Sequence, residues 1–205
     1  MNTTEDHGAD MIEQLFHDDS VAQERLHDKL VAAADAEGIL DVAYRSIDTP
    51  VGPLLLAATD QGLVRVAYAG EDHDSVLTTL AQSISPRVLN APARLDAAAR
   101  EIDEYFTGRR VSFDMPLDLR LSRGFRREVL AQLLEIGYGK TATYAWVAAA
   151  AGSPKAVRAA GSACAANPIP VVIPCHRVVR SDGTIGRYAG GSEIKKALLA
   201  LEASA

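Results

Sequence analysis

The most distinctive stretch of the chain is residues 167–179, Asn-Pro-Ile-Pro-Val-Val-Ile-Pro-Cys-His-Arg-Val-Val. Its three prolines bracket an apolar run, and each proline removes a backbone donor that an interior strand would need. The stretch therefore predicts a rigid, buried loop. Adjacent side chains of a strand point to opposite faces, so Cys175 and His176 can cooperate only where the backbone turns, and Pro174 supplies such a turn.

A free cysteine has a pKa of about 8.5, so little of it is thiolate at neutral pH unless a base or a cation assists. His176 is the natural base beside Cys175. An acid that orients this histidine would complete a nucleophile of the kind found in cysteine enzymes, and Glu202 is the candidate. A satisfied structural pair of side chains remains the alternative interpretation of Cys175 and His176.

A helix-turn-helix is predicted immediately before the loop. One helix runs through Phe125 to Leu133, and a second runs from about Tyr144 to Ala151, where Gly152 ends it. Ser153-Pro154 then supplies an N-cap and a first-turn proline for a third helix from Lys155 to about Ala165.

The third helix is built almost entirely of small residues. Ala156, Ala159 and Gly161 lie on it, and its backbone can therefore approach another surface closely, either a neighbouring helix or a nucleic-acid groove. Arg158 on the same helix favours the groove, because a cation there has phosphates and bases as partners.

The first 120 residues have a different pattern. Residues 1–40 predict one or two amphipathic helices. Short apolar runs at 42–47, 54–58 and 63–68 predict an antiparallel meander, followed by helices through 76–84 and 95–106, the second ended by Gly108, and a strand at about 111–119. We therefore predict an extension (1–40), an α/β domain (41–120) and a basic, mostly helical domain (121–205).

Charge is divided unevenly along the 205 residues. The net charge is −6, but residues 1–122 hold 10 Lys and Arg against 22 Asp and Glu (−12), whereas residues 123–205 hold 11 against 5 (+6). A basic segment of this kind favours a nucleic-acid partner, the alternative being a chance imbalance. The sequence shows no apolar run long enough to span a membrane and an acidic N-terminus unlike a signal peptide, which predicts a cytoplasmic protein.

Metal and cofactor sites are not predicted. The spacing of His7, His17 and His27 matches no familiar metal site, and a zinc site using Cys164 with Cys175 and His176 lacks an obvious fourth ligand. No glycine-rich phosphate loop or nucleotide fingerprint is evident. With two cysteines the chain has no disulfide framework, so a thiol is available for chemistry.

Residues 174–179, Pro-Cys-His-Arg-Val-Val, resemble the active-site signature of the O6-alkylguanine-DNA alkyltransferase family, and Asn167-Pro168 fits it too. The similarity covers roughly residues 42–202 and includes Ile185, Gly186, Tyr188, Gly190, Lys195, Leu198, Leu199 and Glu202. It implies an α+β fold, with a ribonuclease-H-like α/β domain followed by a winged-helix, helix-turn-helix domain. It also implies repair of O6-alkylguanine, and of O4-alkylthymine, in double-stranded DNA by a monomer without a cofactor.

The resemblance also implies roles for single residues. Cys175 would accept the alkyl group irreversibly, His176 would deprotonate it through a water linked to Glu202, and Asn167 would tie the helix-turn-helix to the loop. Tyr188 would donate a hydrogen bond to the leaving guanine. Arg158 would fill the gap left by the flipped base, Tyr144 would help to rotate its phosphate, and the small-residue helix would enter the minor groove.

Two positions depart from the family pattern. Ala189 stands where some members carry a hydroxyl, and Arg187 stands where a small or neutral residue is expected. The rival interpretations are a module that binds alkyl lesions without removing them, which would lack the acceptor cysteine, and a papain-like hydrolase, which would place its histidine far from its cysteine in sequence.

Overall fold

The computed structural model describes the backbone of residues 6–203 and the side chains of residues 21–203. The chain forms two compact units, one up to Leu40 and one from Asp41 onwards. The first unit is a single helix, α1 (Asp6–Ala36), followed by a turn at Gly38. The side chains of His7 and His17 lie outside the described residues. Within 6–203, no helix is long and apolar enough to cross a membrane.

The second unit begins with a four-stranded sheet. Strands β1 (Val42–Ile47), β2 (Leu54–Thr59) and β3 (Gly62–Tyr68) form the predicted antiparallel meander, which is confirmed. The sequence prediction missed β4 (Val88–Asn90), which pairs with β1 in parallel and gives the order β3-β2-β1-β4.

Two helices follow in the sheet region. Helix α2 (His73–Ser83) packs its buried face onto one apolar cluster, made of Val42, Leu55, Ala57, Val64, Ala67, Val76 and Leu80. Helix α3 (Asp96–Phe106) ends at Gly108, as predicted: the Gly108 N–H bonds Tyr105 O and the Arg109 N–H bonds Glu104 O, which is a Schellman motif.

The strand predicted at about 111–119 is wrong. This segment is irregular. It meets the sheet through an isolated bridge between Leu63 and Leu117, in which the Leu63 N–H bonds Pro116 O and the Asp118 N–H bonds Leu63 O, and through a hydrogen bond from Thr59 Oγ1 to Asp118 Oδ2. Gly62 permits this approach, since a Cβ there would overlap the Pro116 carbonyl. The region from β1 to this segment, residues 42–119, is called the sheet region below.

The remaining residues, 124–203, form a helical region. Its helices are α4 (Phe125–Leu134), α5 (Tyr144–Ala150), α6 (Val157–Ala165) and α7 (Gly191–Ala203). Strands β5 (Ala142–Thr143) and β6 (Val178–Val179) pair in parallel. The predicted α+β class, a sheet domain followed by a mostly helical one, is confirmed.

The turn between α5 and α6 differs in part from the prediction. Gly152 ends α5 in the left-handed conformation (φ 76°), with bonds from Gly152 N to Ala149 O and from Ser153 N to Ala148 O. Helix α6, however, begins at Val157 with Ala156 as its N-cap. The N-cap and first-turn roles expected for Ser153 and Pro154 are therefore wrong: the Ala156 N–H bonds Ser153 O in a separate turn.

The proline-framed loop, which begins at Asn167, is held by contacts with the sheet region as well as by contacts within the helical region. The Pro168 carbonyl accepts hydrogen bonds from the Val66 N–H at 2.9 Å and from Arg65 Nη1 at 3.2 Å. Val171 in the loop has a φ of 73°, a strained conformation for a β-branched residue that only its surroundings can maintain. The prediction of a rigid, buried loop is confirmed.

Candidate active site

Cys175 and His176 lie in one short turn at the end of the loop. Pro174 (φ −81°, ψ 59°) adopts an inverse γ-turn in which the Cys175 N–H bonds Ile173 O at 2.8 Å. A single 3₁₀ turn over Cys175–Arg177 follows. Both side chains are buried, Cys175 at 2% and His176 at 0% exposure, and they lie in one turn, whereas adjacent side chains of a strand would point to opposite faces.

Asn167 connects the thiol to the end of α6. Its Nδ2 donates to Cys175 Sγ at 3.1 Å and to the Ile173 carbonyl at 2.8 Å, while its Oδ1 accepts from the Ile169 N–H at 3.0 Å. Its own backbone N–H bonds Cys164 O on α6. One side chain therefore fixes the loop and the sulfur relative to the helix-turn-helix.

His176 is paired with Glu202 on α7. Nε2 of His176 lies 2.8 Å from Glu202 Oε1. Burial raises the pKa of Glu202, but hydrogen bonds from His176 and Arg177 outweigh this effect and lower it to about 2. An ionised carboxylate only accepts, so Nε2 carries the ring proton and Nδ1 carries the free lone pair. Nδ1 is buried and has no hydrogen-bond partner among the described residues.

Glu202 is enclosed by donors from several elements. Arg177 donates from Nε at 2.9 Å to Oε2 and from Nη2 at 2.9 Å to Oε1, the Gly139 N–H donates at 3.1 Å, and Tyr105 Oη donates at 2.8 Å. Gly139 (φ 67°) cannot carry a side chain, because a Cβ would lie 2.9 Å from the Glu202 carbonyl oxygen. Arg177 also bonds the Ile136 carbonyl and lies over the Tyr138 ring.

The pKa shifts of Cys175 and His176 both favour the neutral form. Burial raises the pKa of the Cys175 thiol to about 11, against the lowering effects of Asn167 and Lys195. Burial also lowers the pKa of His176, although Glu202 acts in the opposite direction. The neutral imidazole is the form that can accept a proton from the thiol.

Helix α7 presents polar side chains along its buried face. Lys195, Leu198 and Glu202 share this face at helical spacing, and Lys195 is fully buried with Nζ 2.5 Å from the Val178 carbonyl. Burial lowers the pKa of Lys195, and the nearby Cys175 and Cys164 act against this. The helix therefore supplies a cation and an anion beneath the turn that carries Cys175.

Three tyrosines surround the loop after the cysteine. Tyr188 Oη lies 2.7 Å from Tyr68 Oη, and their rings meet edge to face at 5.8 Å. Tyr144, the first residue of α5, lies against Gly186, where a Cβ would overlap its hydroxyl, and beside Gly161 of α6. Tyr144 and Tyr68 therefore both contact the loop that contains Gly186 and Tyr188.

Helix α6 has one packed face and one open face. Ala160, Ala163 and Cys164 are buried, Arg158 and Ala159 are exposed, and Ala156 and Gly161 are half-buried. The five residues expected to contact DNA, Tyr144, Ala156, Arg158, Ala159 and Gly161, are therefore all at least partly accessible. The exposed part of the helix carries Val157, small side chains and one arginine.

The sequence did not predict that Tyr105 and Tyr68 are parts of the site. Tyr105, on α3, donates to Glu202 and lies 3.5 Å from His176 Nε2, and Tyr68, on β3, contacts Tyr188. Each was assigned to an apolar pattern of a helix or strand. The available signal was chemical: a buried tyrosine hydroxyl needs a partner, and the sheet region offered few.

The described residues contain no group of three His, Cys, Asp or Glu side chains that could hold a metal ion. Both cysteines are free thiols and are buried. Burial raises the pKa of Cys164 to about 12. The two thiols therefore differ in their partners, because only Cys175 accepts the amide of Asn167.

Comparisons with known proteins match both regions. Residues 42–119 match the ribonuclease-like domain of 6-O-methylguanine DNA methyltransferase, and residues 124–204 match its DNA-binding domain. A methylated-DNA–protein-cysteine methyltransferase of Mycobacterium tuberculosis is 38% identical over 169 residues, which cover 80% of this chain and 93% of the relative.

Solved structures agree with these matches. The crystal structure of the M. tuberculosis O6-methylguanine methyltransferase aligns at a TM-score of 0.70 with 37% identity, covering 80% of this chain and 93% of that one. A crystal structure of the M. tuberculosis protein in complex with DNA aligns at 0.69 with 36% identity, covering 79% and 93%.

The fold and the site thus define a class of protein: DNA-binding enzymes of DNA repair that use a protein cysteine as the acceptor of a methyl group. Within that class, the chain belongs to the methylated-DNA–protein-cysteine methyltransferase family. The family resemblance inferred from residues 174–179 is confirmed, and so are the enzyme class and the binding of DNA.

Proposed function

We propose that this protein removes the alkyl group from O6-alkylguanine in double-stranded DNA, transferring it irreversibly to Cys175, once per molecule. The observation that carries the proposal is the shared turn in which Cys175 Sγ is held by Asn167 at 3.1 Å beside a His176–Glu202 pair at 2.8 Å. O4-alkylthymine is the second proposed substrate, because its alkyl group is attached through the same kind of exocyclic oxygen.

The proposed reaction is a single displacement. The thiol proton leaves Cys175 for Nδ1 of His176 through a water, and the imidazolium is stabilised by Glu202. Sγ then bonds the alkyl carbon as the bond between that carbon and guanine O6 breaks, and the electron pair stays on the base. The base takes up one proton at N1 from water, and the imidazolium returns its proton to water, so that the thiol proton is balanced on guanine. The product thioether has no carbonyl for water to attack, so Cys175 is consumed.

Two further side chains assist in the proposed reaction. Asn167 orients the sulfur, because its Nδ2 donates a hydrogen bond to Sγ. Tyr188 donates a hydrogen bond to the guanine, which matters most as negative charge develops on the leaving base. No cofactor takes part in this reaction scheme, because the alkyl group passes straight from base to sulfur.

Access to the base requires flipping, since O6 is stacked inside the duplex. We place α6 in the minor groove, because its open face offers Ala156, Ala159 and Gly161, and only narrow side chains fit a groove about 6 Å wide. Exposed Arg158 fills the gap that the base leaves. Tyr144 turns the phosphate of the flipped nucleotide.

The proposed working form is a monomer in the cytoplasm, where DNA is accessible and two unpaired cysteines remain thiols. A single chain is sufficient for the proposed reaction, because it supplies every proposed catalytic group. Size-exclusion chromatography with light scattering, in the presence and absence of DNA, tests the monomer directly.

Intact-protein mass spectrometry tests the transfer. Duplex DNA containing one O6-methylguanine should add one methyl group to the wild-type protein, mapped by peptide digestion to Cys175. The control Cys164→Ser should be labelled equally, and Cys175→Ser should not be labelled. Repeated turnover, or a label on another residue, would reject the proposal. A duplex with O4-methylthymine tests the second substrate separately.

The second candidate function is a module that binds alkyl lesions without repairing them. It predicts tight binding of the same duplex with the lesion left intact. The presence of Cys175, with the proton acceptor His176 in the same turn, favours transfer over this candidate.

A further inference from the structure

Two exposed arginines lie on the loop that follows the active-site turn. Arg180 begins a tight turn in which its N–H bonds Thr184 O at 3.0 Å, and Arg187 comes directly after Gly186. The one carboxylate within this turn, that of Asp182, accepts the Thr184 hydroxyl at 2.6 Å. The loop therefore presents two guanidinium groups at the surface.

These two guanidinium groups lack the partners that arginines of the sheet region have. Arg45, Arg87 and Arg110 each pair with a carboxylate at 2.6–2.8 Å. Within residues 21–203, neither Arg180 nor Arg187 forms an ion pair or a side-chain hydrogen bond. Carboxylates are not scarce in a chain with 27 Asp and Glu against 21 Lys and Arg. Both charges are therefore available to an anion that another molecule supplies.

Both arginines lie close to Tyr144. The Tyr144 hydroxyl packs against Gly186, where a Cβ would overlap it, and Arg187 is the next residue. Burial raises the pKa of Tyr144, and the positive charge of nearby Arg180 acts in the opposite direction. Among the described residues the Tyr144 hydroxyl has no hydrogen-bond partner. A hydroxyl donor without a partner thus lies beside two unpaired cations.

The loop is also fixed on the other side of Arg187. Tyr188 Oη lies 2.7 Å from Tyr68 Oη, and a Cβ at Gly190 would lie 2.9 Å from Tyr68 Cε2. The Gly191 N–H bonds Tyr188 O at 3.0 Å where α7 begins. The backbone of Arg187 is therefore held between two packed contacts, which lowers the entropy lost when this residue binds a ligand.

We propose that Arg180 and Arg187 form, together with the Tyr144 hydroxyl, a binding site for phosphates of the DNA strand that carries the lesion. The inference rests on the proposed function, in which the flipped nucleotide passes Tyr144 to reach Cys175. Arginine suits a phosphate because its guanidinium combines parallel donors with a positive charge. Phosphate contacts fix the register of a protein on DNA without reading the bases. The two arginines thereby hold the lesion strand in position for transfer.

The salt dependence of DNA binding tests this proposal. In a Cys175→Ser background, which prevents transfer, fluorescence anisotropy measures Kd for a duplex containing one O6-methylguanine. Each lost phosphate contact lowers the slope of log K against log salt by about 0.9, so adding Arg180→Gln and Arg187→Gln should lower it by about 1.8. Between about 50 and about 200 mM KCl, this pair of substitutions should therefore reduce the loss of affinity about ten-fold.

Controls separate a phosphate contact from a general effect on the site. Arg100→Gln removes an exposed charge from α3 and should leave the slope unchanged. With Cys175 intact, Arg180→Gln and Arg187→Gln should slow transfer from dilute duplex but not from free O6-benzylguanine, which has no phosphate. An unchanged salt slope in the double variant, or an equal loss with the free base, would overturn the proposal.

Neutral phosphates identify the strand that the arginines hold. Methylphosphonates on both sides of the lesion should weaken binding by the Cys175→Ser protein much more than binding by the protein that also carries Arg180→Gln and Arg187→Gln. In the opposite strand they should affect both proteins equally, and the reverse pattern would overturn the assignment to the lesion strand. These measurements need no transfer. A wild-type protein that fails to methylate Cys175 would reject the proposed function, while the salt slopes would still decide this inference.

Discussion

Tyr105 on α3 and Glu202 on α7 are joined by a hydrogen bond of 2.8 Å in which the tyrosine hydroxyl donates to Oε1. The same oxygen accepts Nε2 of His176, also at 2.8 Å. The carboxylate that orients the histidine is therefore shared with a side chain of the sheet region. Its acceptor strength, and through it the basicity of His176, depends on both donors.

Replacing Tyr105 with Phe removes one donor from Glu202. The carboxylate becomes a stronger acceptor for His176, so the pKa of His176 should rise and the acid limb of the pH–rate profile should move to higher pH, because transfer needs the neutral imidazole. Loss of one buried hydrogen bond should cost about 1 kcal/mol of unfolding free energy. Single-turnover rates across pH and urea denaturation measure the two effects, and an acid limb that stays in place would contradict the coupling.

Glu202→Gln should destabilise the fold by about 3–5 kcal/mol, because Arg177 keeps its buried charge and loses its partner. The folded pKa of Glu202, about 2, lies below its ordinary value of 4.5. Its stabilisation is therefore fully present above pH 4.5 and is lost as pH falls towards 2, and the variant should lack this dependence. Urea titrations at several pH values measure it, with Glu193→Gln, an exposed residue on the same helix, as a control that should change little. A variant as stable as wild type would show that the pair contributes nothing.

The Cys175 thiol should react slowly with small electrophiles at neutral pH. Its pKa of about 11 predicts a rate with iodoacetamide that rises about ten-fold per pH unit from pH 7 to 9 and keeps rising towards pH 11. The urea-unfolded chain should level off above its ordinary pKa of about 8.5. A Cys164→Ala background leaves one thiol to follow by mass. A folded protein whose rate levels off near pH 7 would show a pre-formed thiolate instead.

Arg158→Ala should impair repair of duplex DNA more than reaction with a free base. Filling the gap in the stack offsets part of a flipping cost of a few kcal/mol, so transfer from an O6-methylguanine duplex should slow about ten-fold or more. Reaction with free O6-benzylguanine involves no flipping and should be unaffected. Equal losses with both substrates would reject the proposed position of Arg158 in the duplex.

Local signals account for the parts of the fold that the sequence predicted. Strands β1 to β3 have apolar runs bounded by turn residues, Gly152 and Gly108 end helices in left-handed turns, and the prolines exclude a strand at 167–174. Each of these features depends on a few neighbouring residues. The position of Cys175 and His176 in one turn was predictable for the same reason, because the signal is the neighbouring Pro174.

The missed parts depend on distant partners. Strand β4 has three residues and exists through its pairing with β1. The segment at 111–119 has strand-like residues but forms an isolated bridge to the sheet, at Leu117, and no strand. The sequence predicts that α6 begins at Lys155, two residues before its actual first residue, Val157. Ser153-Pro154 is typical of a helix start, but here these residues form a separate turn. Contacts of Tyr105 with Glu202, 97 residues apart, have no local signal at all.

The burial of Cys175 also determines how long a molecule stays usable. In the proposed mechanism each chain acts once. A chain whose Cys175 has reacted with peroxide or with another alkylating agent can therefore never repair a lesion. Oxidants and electrophiles attack the thiolate form of cysteine. The Cys175 sulfur is 2% exposed and its raised pKa keeps it protonated, so almost no thiolate is available to them. The burial that slows the reaction of Cys175 in the absence of DNA thus also keeps unreacted protein available until a lesion forms.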